Sequence, residues 1–263
     1  MQVTRAVPLH VEVDNTLGGR WTSLRTARRE WLWHRHDEAR SRAAPGVPFV
    51  DVGGLEECVP TVRGVPDHGD AWSRPWDETG VVCPEFLLRR RIESKDGAVI
   101  ADYELTAEPG YRFVWAAHAL LDVSPDAHLV APKGTPVLIT DPEPVLREWP
   151  AGLSTLGPDD GTAVGAVLES GQIRVVDGDH RLDMHIECVD QPVSVALWRN
   201  LRGWPEDEPY RSVGVEPMLG RTFDRDDVTR PVVVVPESGI VRWRLTFTAF
   251  EDLLDLQPGS TVR

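Results

Sequence analysis

Apolar and polar residues alternate along this chain in short runs. The clearest is Val241-Arg242-Trp243-Arg244-Leu245-Thr246-Phe247-Thr248, which changes character at nearly every position. A period of two sends successive side chains to opposite faces of a strand, so Ile240 to Phe250 predicts a half-buried antiparallel strand. The same pattern predicts strands over Leu9 to Val13, Arg20 to Leu24, Glu30 to Trp33, Phe86 to Glu93, Ala98 to Thr106, Gln172 to Asp177, Leu182 to Cys188, Ser194 to Trp198 and Ser212 to Glu216. A longer β-like run extends from Arg112 to Val123. Lys95-Asp96-Gly97 lies between two of these runs and predicts a hairpin turn, and Gly178-Asp179 predicts another. Helical periodicity is scarce. Glu143 to Trp149 reads as one short helix after Pro142, and Phe250 to Leu256 as a helical turn. Gly134 to Gly161, rich in proline and glycine, reads as a surface excursion. The elements predict an all-β fold, a large sandwich or barrel, with residues 1–263 as one domain.

Composition narrows the class. The 263 residues are 41% hydrophobic, enough for a substantial core. No apolar stretch is long enough for a membrane helix, and Met1 to Val13 lacks the basic and apolar blocks of a secretory leader. Cys58, Cys83 and Cys188 form neither a disulfide framework nor a metal-type spacing. The expectation is a reduced, cytoplasmic protein. Asp and Glu number 42 against 28 Lys and Arg, a net charge of −14. That sign opposes nucleic acid as a partner. All but two of the basic residues are arginine, and no phosphate-loop lysine motif is present. Ten tryptophans against three tyrosines suit a core and also a pocket for a neutral, partly apolar ligand.

Candidate chemistry sits in three places. The segment Gly64 to Trp76 carries His68, Asp67, Asp70, Arg74, Trp72 and Trp76 on a Pro- and Gly-rich loop, the kind of segment a rigid scaffold can aim. His118 lies inside the apolar run Val114 to Leu121. Such a histidine is more often a satisfied core residue; in a pocket its neighbours would tune it toward acid–base work. Glu216 closes the apolar strand Ser212-Val213-Gly214-Val215 and precedes Pro217. Before it, Leu197-Trp198-Arg199-Asn200 and Gly203-Trp204-Pro205 offer a wall and donors. His180, Asp183 and His185 have the composition of a metal triad, but on a strand His180 would face away from the other two, and Glu187 would join them. No metal is expected there.

Several segments, in order, resemble the galactose mutarotase-like, or aldose 1-epimerase, family. They are Gly18-Gly19-Arg20 to Leu24, Arg29 to Trp33, Gly53-Gly54-Leu55-Glu56-Glu57-Cys58-Val59-Pro60-Thr61, Pro66 to Ser73, Ala116-Ala117-His118, Ala196 to Asn200 and Val215-Glu216-Pro217. The resemblance spans residues 18 to about 224 and is closest to the compact bacterial branch. It implies a β-supersandwich of two large twisted antiparallel sheets with the site in a concave cleft. It implies an isomerase that interconverts α and β anomers of an aldose without metal or organic cofactor. By matching motifs, Glu216 takes the place of the base, His118 of the general acid, and His68 of the histidine that hydrogen-bonds the sugar. Trp72 and Trp198 are candidate apolar walls, and Arg74 and Arg199 candidate donors to hydroxyls. The family also carries a sugar-binding aspartate, for which Asp183 is one candidate. The first-histidine motif, Asp67-His68-Gly69, is shorter than in the better-studied galactose mutarotases.

The leading expectation is therefore a mutarotase for a small unphosphorylated sugar, with no nucleic-acid or membrane partner and the oligomeric state open. A hexose-6-phosphate mutarotase would need an arginine cluster, for which Arg74, Arg199, Arg202 and Arg211 are available. A non-catalytic carbohydrate-binding protein on the same sandwich is the rival from another class.

Overall fold

The computed structural model describes residues 4–141 and 143–252. The described residues form nineteen strands and one short 3-10 helix, Glu38–Arg42. In chain order the strands are β1 (Thr4–Val7), β2 (His10–Asp14), β3 (Arg20–Arg25), β4 (Leu55–Cys58), β5 (Gly80–Val82), β6 (Phe86–Lys95), β7 (Ala98–Ala107), β8 (Arg112–Phe113), β9 (Trp115–Leu121) and β10 (His128–Val130). They continue as β11 (Pro136–Ile139), β12 (Val145–Glu148), β13 (Ala163–Leu168), β14 (Gln172–Asp177), β15 (His180–Cys188), β16 (Val193–Leu201), β17 (Arg211–Leu219), β18 (Val233–Val234) and β19 (Ile240–Asp252). No helix among these residues is long and apolar enough to cross a membrane.

Two large antiparallel sheets result. One has eight strands in the order β10-β14-β15-β19-β7-β6-β5, with β1 also on β19; the other has nine, β12-β11-β13-β16-β17-β9-β4-β3-β2. Alternation explains the first. Along β19, Val241, Trp243, Leu245, Phe247 and Ala249 are buried while Arg242 and Arg244 are exposed. The β6–β7 hairpin turns through Asp96 and Gly97, both at positive φ, as its sequence predicts. Aromatic contacts join the sheets: Trp115 and Trp243 meet at 5.1 Å between ring centroids, and Trp21 and Phe247 at 5.5 Å. A buried polar group joins them too. The Glu57 carboxylate accepts from Arg90 (2.6 Å), Tyr103 (3.0 Å) and Trp115 (2.8 Å), so the charge is fully partnered.

The nine-stranded sheet is buried on both faces at its centre. Every residue of β4 and β9 is buried, and β17 is buried from Ser212 to Leu219. One face meets the opposite sheet. The other is covered by loops and carries the site.

Four expectations change. Glu143 to Trp149 is not a helix: Val145–Glu148 is an edge strand in register with Pro136–Ile139, whose ladder satisfies its backbone. Pairing across strands has overridden a weak local helical pattern. Within Phe250 to Leu256, β19 runs on to Asp252 against β1, and the remainder lies outside the described residues. Glu30 to Trp33 makes isolated bridges, Arg25 to Glu30 and Leu32 to Leu121, instead of a continuous strand. The Gly134 to Gly161 segment is more ordered than a surface excursion, since it holds β11 and β12 and buries Val137, Trp149, Leu153 and Leu156.

Candidate functional site

His118 sits in the middle of β9 and Glu216 in β17, its neighbour. The ladder between them pairs Gly214 with Leu120 and Met218 with Ala116. That register sets His118 opposite Glu216 in the gap, where Pro217 has no N–H to donate. On the other side, Glu56 of β4 is the register partner of His118. Glu56, His118 and Glu216 thus form one row across the covered face. Gly214 makes the row possible. A Cβ at Gly214 would lie 2.3 Å from Oε1 of Glu216 and 3.1 Å from Cβ of Trp198, so the carboxylate occupies the space a side chain would need.

Nδ1 of His118 is 3.0 Å from Oε1 of Glu216, with both side chains nearly enclosed. The contact is an ion pair whose alignment falls short of a hydrogen bond. Burial works against a charged His118, but the Glu216 carboxylate, with Asp51 and Glu56 farther off, outweighs it and lifts the pKa to about 9. Burial alone explains most of the behaviour of Glu56, pushed up to about 7 against the pull of Arg40 and Arg20. Arg40 lies 2.9 Å from it.

His68 reaches the same place from the Gly64 to Trp76 loop. Gly69 docks against Val59 so tightly that a Cβ there would lie 2.0 Å from the Val59 carbonyl oxygen, and His68 itself is held at φ 57. A histidine at positive φ is a strained arrangement kept by its surroundings. Its ring stacks on Phe49 at 3.7 Å and meets the His118 ring edge-on at 5.1 Å. Burial lowers the His68 pKa, the charge on His118 lowers it further, and Asp67, 3.0 Å from Nδ1, only partly compensates. One imidazole is therefore disposed to be charged and its neighbour to be neutral.

These groups open onto a cavity of about 510 Å³. His118, Glu216, Leu120 and Leu197 are its deep surface, and Trp198 a wall. Arg63 and Asp141 form a second wall, joined by two hydrogen bonds of 2.9 and 3.2 Å, with the guanidinium over the rings of Trp198 and Phe223. Against a rise from burial, hydrogen bonds from Thr140 and Arg63 hold the Asp141 carboxyl below its ordinary range. Asp51 takes a 2.5 Å hydrogen bond from the Tyr210 hydroxyl, and Tyr210 stacks on Trp33. Among the described residues, no three His, Cys, Asp or Glu side chains converge as a metal-binding group.

Of the eight residues given a site role by the resemblance, His68, His118, Glu216 and Trp198 meet in this cavity, and Asp67 and Trp204, singled out by composition, also line it. The other four of the eight do not line it. Trp72 is buried behind Phe49, edge-on at 4.9 Å. Arg74 turns to Asp70, 3.6 Å away. Arg199 alternates with Trp198 along β16 and so leaves on the opposite face, to the Leu156 carbonyl and Thr162. Asp183 belongs to the other sheet, clasped by Arg174 in two short hydrogen bonds. Nearby, His180 lies close to Asp179 and Glu251, and His185 to Glu187. Phe49, Asp51, Arg63, Asp141 and Tyr210 were not foreseen as site residues. Only Arg63, two residues past Thr61 in a recognised motif, stood near a usable signal.

An Escherichia coli protein described as a candidate aldose 1-epimerase superposes with a TM-score of 0.65 at 13% identity, covering 96% of this chain and 100% of its own. A galactose mutarotase-like protein from Lactobacillus casei gives 0.57 at 14%, covering 95% and 100%. The chain has the galactose mutarotase-like fold. A Synechocystis protein gives 0.67 at 12%, covering 95% and 96%. No family model and no curated protein matches the sequence.

Proposed function

We propose that this chain is an aldose 1-epimerase acting on an unphosphorylated sugar. The observation that carries the reading is the His118–Glu216 pair, 3.0 Å apart on the deep surface of the cavity. Opening a cyclic aldose removes a proton from O1 and delivers one to O5. Both oxygens are bonded to C1, so the base and the acid must stand side by side. Glu216 is the base and His118, charged at neutral pH, is the acid. Their coupling also times the reaction. Once Glu216 takes the O1 proton, the charge that raised the His118 pKa is gone, burial dominates, and His118 becomes a stronger acid toward O5. Rotation about C1–C2 and the reverse transfers close the other anomer. His68, neutral and 5.1 Å away between ring centroids, hydrogen-bonds the ring side of the sugar. Trp198 offers a face to C–H groups, and Arg63 and Asp141 offer a donor and an acceptor to hydroxyls.

A 6-phosphate substrate fits poorly. Arg74, Arg199, Arg202 and Arg211 lie outside the cavity lining, each beside an aspartate: Asp70, Asp160, Asp159 and Asp159. Arg63, the one arginine among the described residues that line the cavity, is already matched by Asp141. The test is two-dimensional exchange NMR on a panel of free and 6-phosphorylated aldoses. Wild type is expected to exchange the anomers of a free aldose, and Glu216→Gln to lose at least about a hundredfold in rate while keeping its fold. Undiminished exchange in the variant would sink the assignment of the base; binding without exchange in wild type would favour a carbohydrate-binding protein.

A further inference from the structure

Seven of the ten tryptophans are buried in the core or behind the site; of the other three, Trp198 and Trp204 line the cavity and Trp33 stacks on Tyr210 of its lining. Trp204 is the most exposed, at 54%, and lies in the loop joining β16 to β17, the hairpin that carries Trp198 and Glu216. Its exposure is not the looseness of a free loop. Asn200, fully buried, accepts from the N–H groups of Gly203 (2.9 Å) and Trp204 (3.0 Å) and donates to the Trp204 carbonyl (2.9 Å). A hydrogen-bonded backbone therefore holds a large apolar ring half in water at the rim of the cavity, and no described residue buries it.

The depth order says what the ring is for. Glu216, 3% exposed, lies deep and Trp204 lies at the rim. If O1 and O5 go to Glu216 and His118, the C1–O5 edge of a pyranose faces the deep surface and the opposite edge, C3 and C4, faces the mouth. Anything attached through O4 or O3 leaves the cavity past Trp204. A group attached through O6 does not, because C6 is borne by C5, next to the ring oxygen. C1 itself must carry a free hydroxyl. At about 510 Å³ the cavity sits well inside the range of pockets for drug-sized ligands, roughly 300–1,000 Å³, and exceeds the needs of one ring. The loop beyond Trp204 reads Glu206-Asp207-Glu208, all exposed, which disfavours an anionic extension.

Resting on the mutarotase reading for the inner site, we propose an outer subsite on Trp204 for a second, neutral sugar unit, so that the preferred substrates are reducing disaccharides or longer chains linked through O4 or O3 of the reducing sugar. Trp204 acts there as a stacking platform for the C–H face of the outer ring.

Calorimetric titration tests it with glucose, cellobiose, maltose and the 6-linked gentiobiose and isomaltose, and with the same linkages on galactose at the reducing end. Wild type is expected to bind the better 4-linked disaccharide about fivefold more tightly than its monosaccharide, the size of one good ring stack. The 6-linked sugars should show no gain. Trp204→Ala should erase the preference and Trp204→Phe should keep part of it; the side chain is exposed, so neither change opens the core. Equal affinity for one and two units, or a preference that survives Trp204→Ala, overturns the subsite. Anomer exchange on the same samples separates the two readings. A 4-linked preference without exchange leaves the subsite standing and the epimerase reading fallen. Exchange without the preference does the reverse. No binding by any sugar of either series overturns both.

Discussion

A carboxylate decides the protonation of His118. Burial by itself would empty the ring of its second proton, yet the Glu216 oxygen 3.0 Å away carries the pKa to about 9. Two outcomes follow at this scale. In Glu216→Gln the opposing force is gone, so His118 should titrate well below 9; histidine ring NMR shifts against pH will show it, and an unmoved midpoint would mean another charge holds the proton. In wild type the acid form is present below about 9, so the exchange rate should fall as pH rises through that value. His118→Asn should cost about 10² to 10⁴ in rate and abolish that alkaline limb. If the limb survives in His118→Asn, the proton comes from another group. The linkage has a stability side as well. Because the folded pKa lies above the ordinary 6.5, the pair stabilises the fold fully below 6.5 and loses this contribution as pH climbs through about 9.

At the scale of elements, the pair depends on the space between strands. Gly214→Ala would put a methyl group 2.3 Å from Glu216 Oε1, a distance no contact tolerates. The carboxylate must move, and a misplacement near 1 Å can cost about a hundredfold in rate. The expectation is a loss of that order in kcat with about 1–3 kcal/mol of stability, read by exchange NMR and urea unfolding. Full activity in Gly214→Ala would mean that the carboxylate works from a different position. The same strands show what a one-dimensional reading can reach. β19 and the β6–β7 hairpin are half-buried, so their alternation is written in the residues. β9 is buried on both faces, so its apolar run carries no period, and His118 looks like any core histidine until β17 and β4 are set beside it. Motif order singled out His68, His118 and Glu216. It could not pair Arg63 with Asp141, 78 residues apart, because that meeting is created by β13 lying beside β16. Nor could it exclude Arg199, whose one-residue offset from Trp198 sends it to the wrong face.

For the whole molecule, the sign of the charge becomes a statement about substrates. The chain carries −14, and the cavity lining adds Asp51, Asp67, Asp141 and Glu216 against Arg63 and a protonated His118. A neutral aldose crosses this field at no electrostatic cost, whereas a dianionic sugar phosphate is repelled on approach and meets, among the described residues, no unmatched arginine inside. Salt distinguishes the two cases, because screening shortens the reach of the field to about 10 Å at 0.1 M. The kcat/KM for a free aldose should be flat with ionic strength. Any activity on its 6-phosphate should be lower and should rise as salt is added, since screening relieves repulsion. A value for the phosphate that starts high and falls with salt would require attraction. It would point to a basic surface that brings phosphates in, and the arginines of the β16–β17 end, now matched by Asp159 and Asp160, would have to release those partners to provide it.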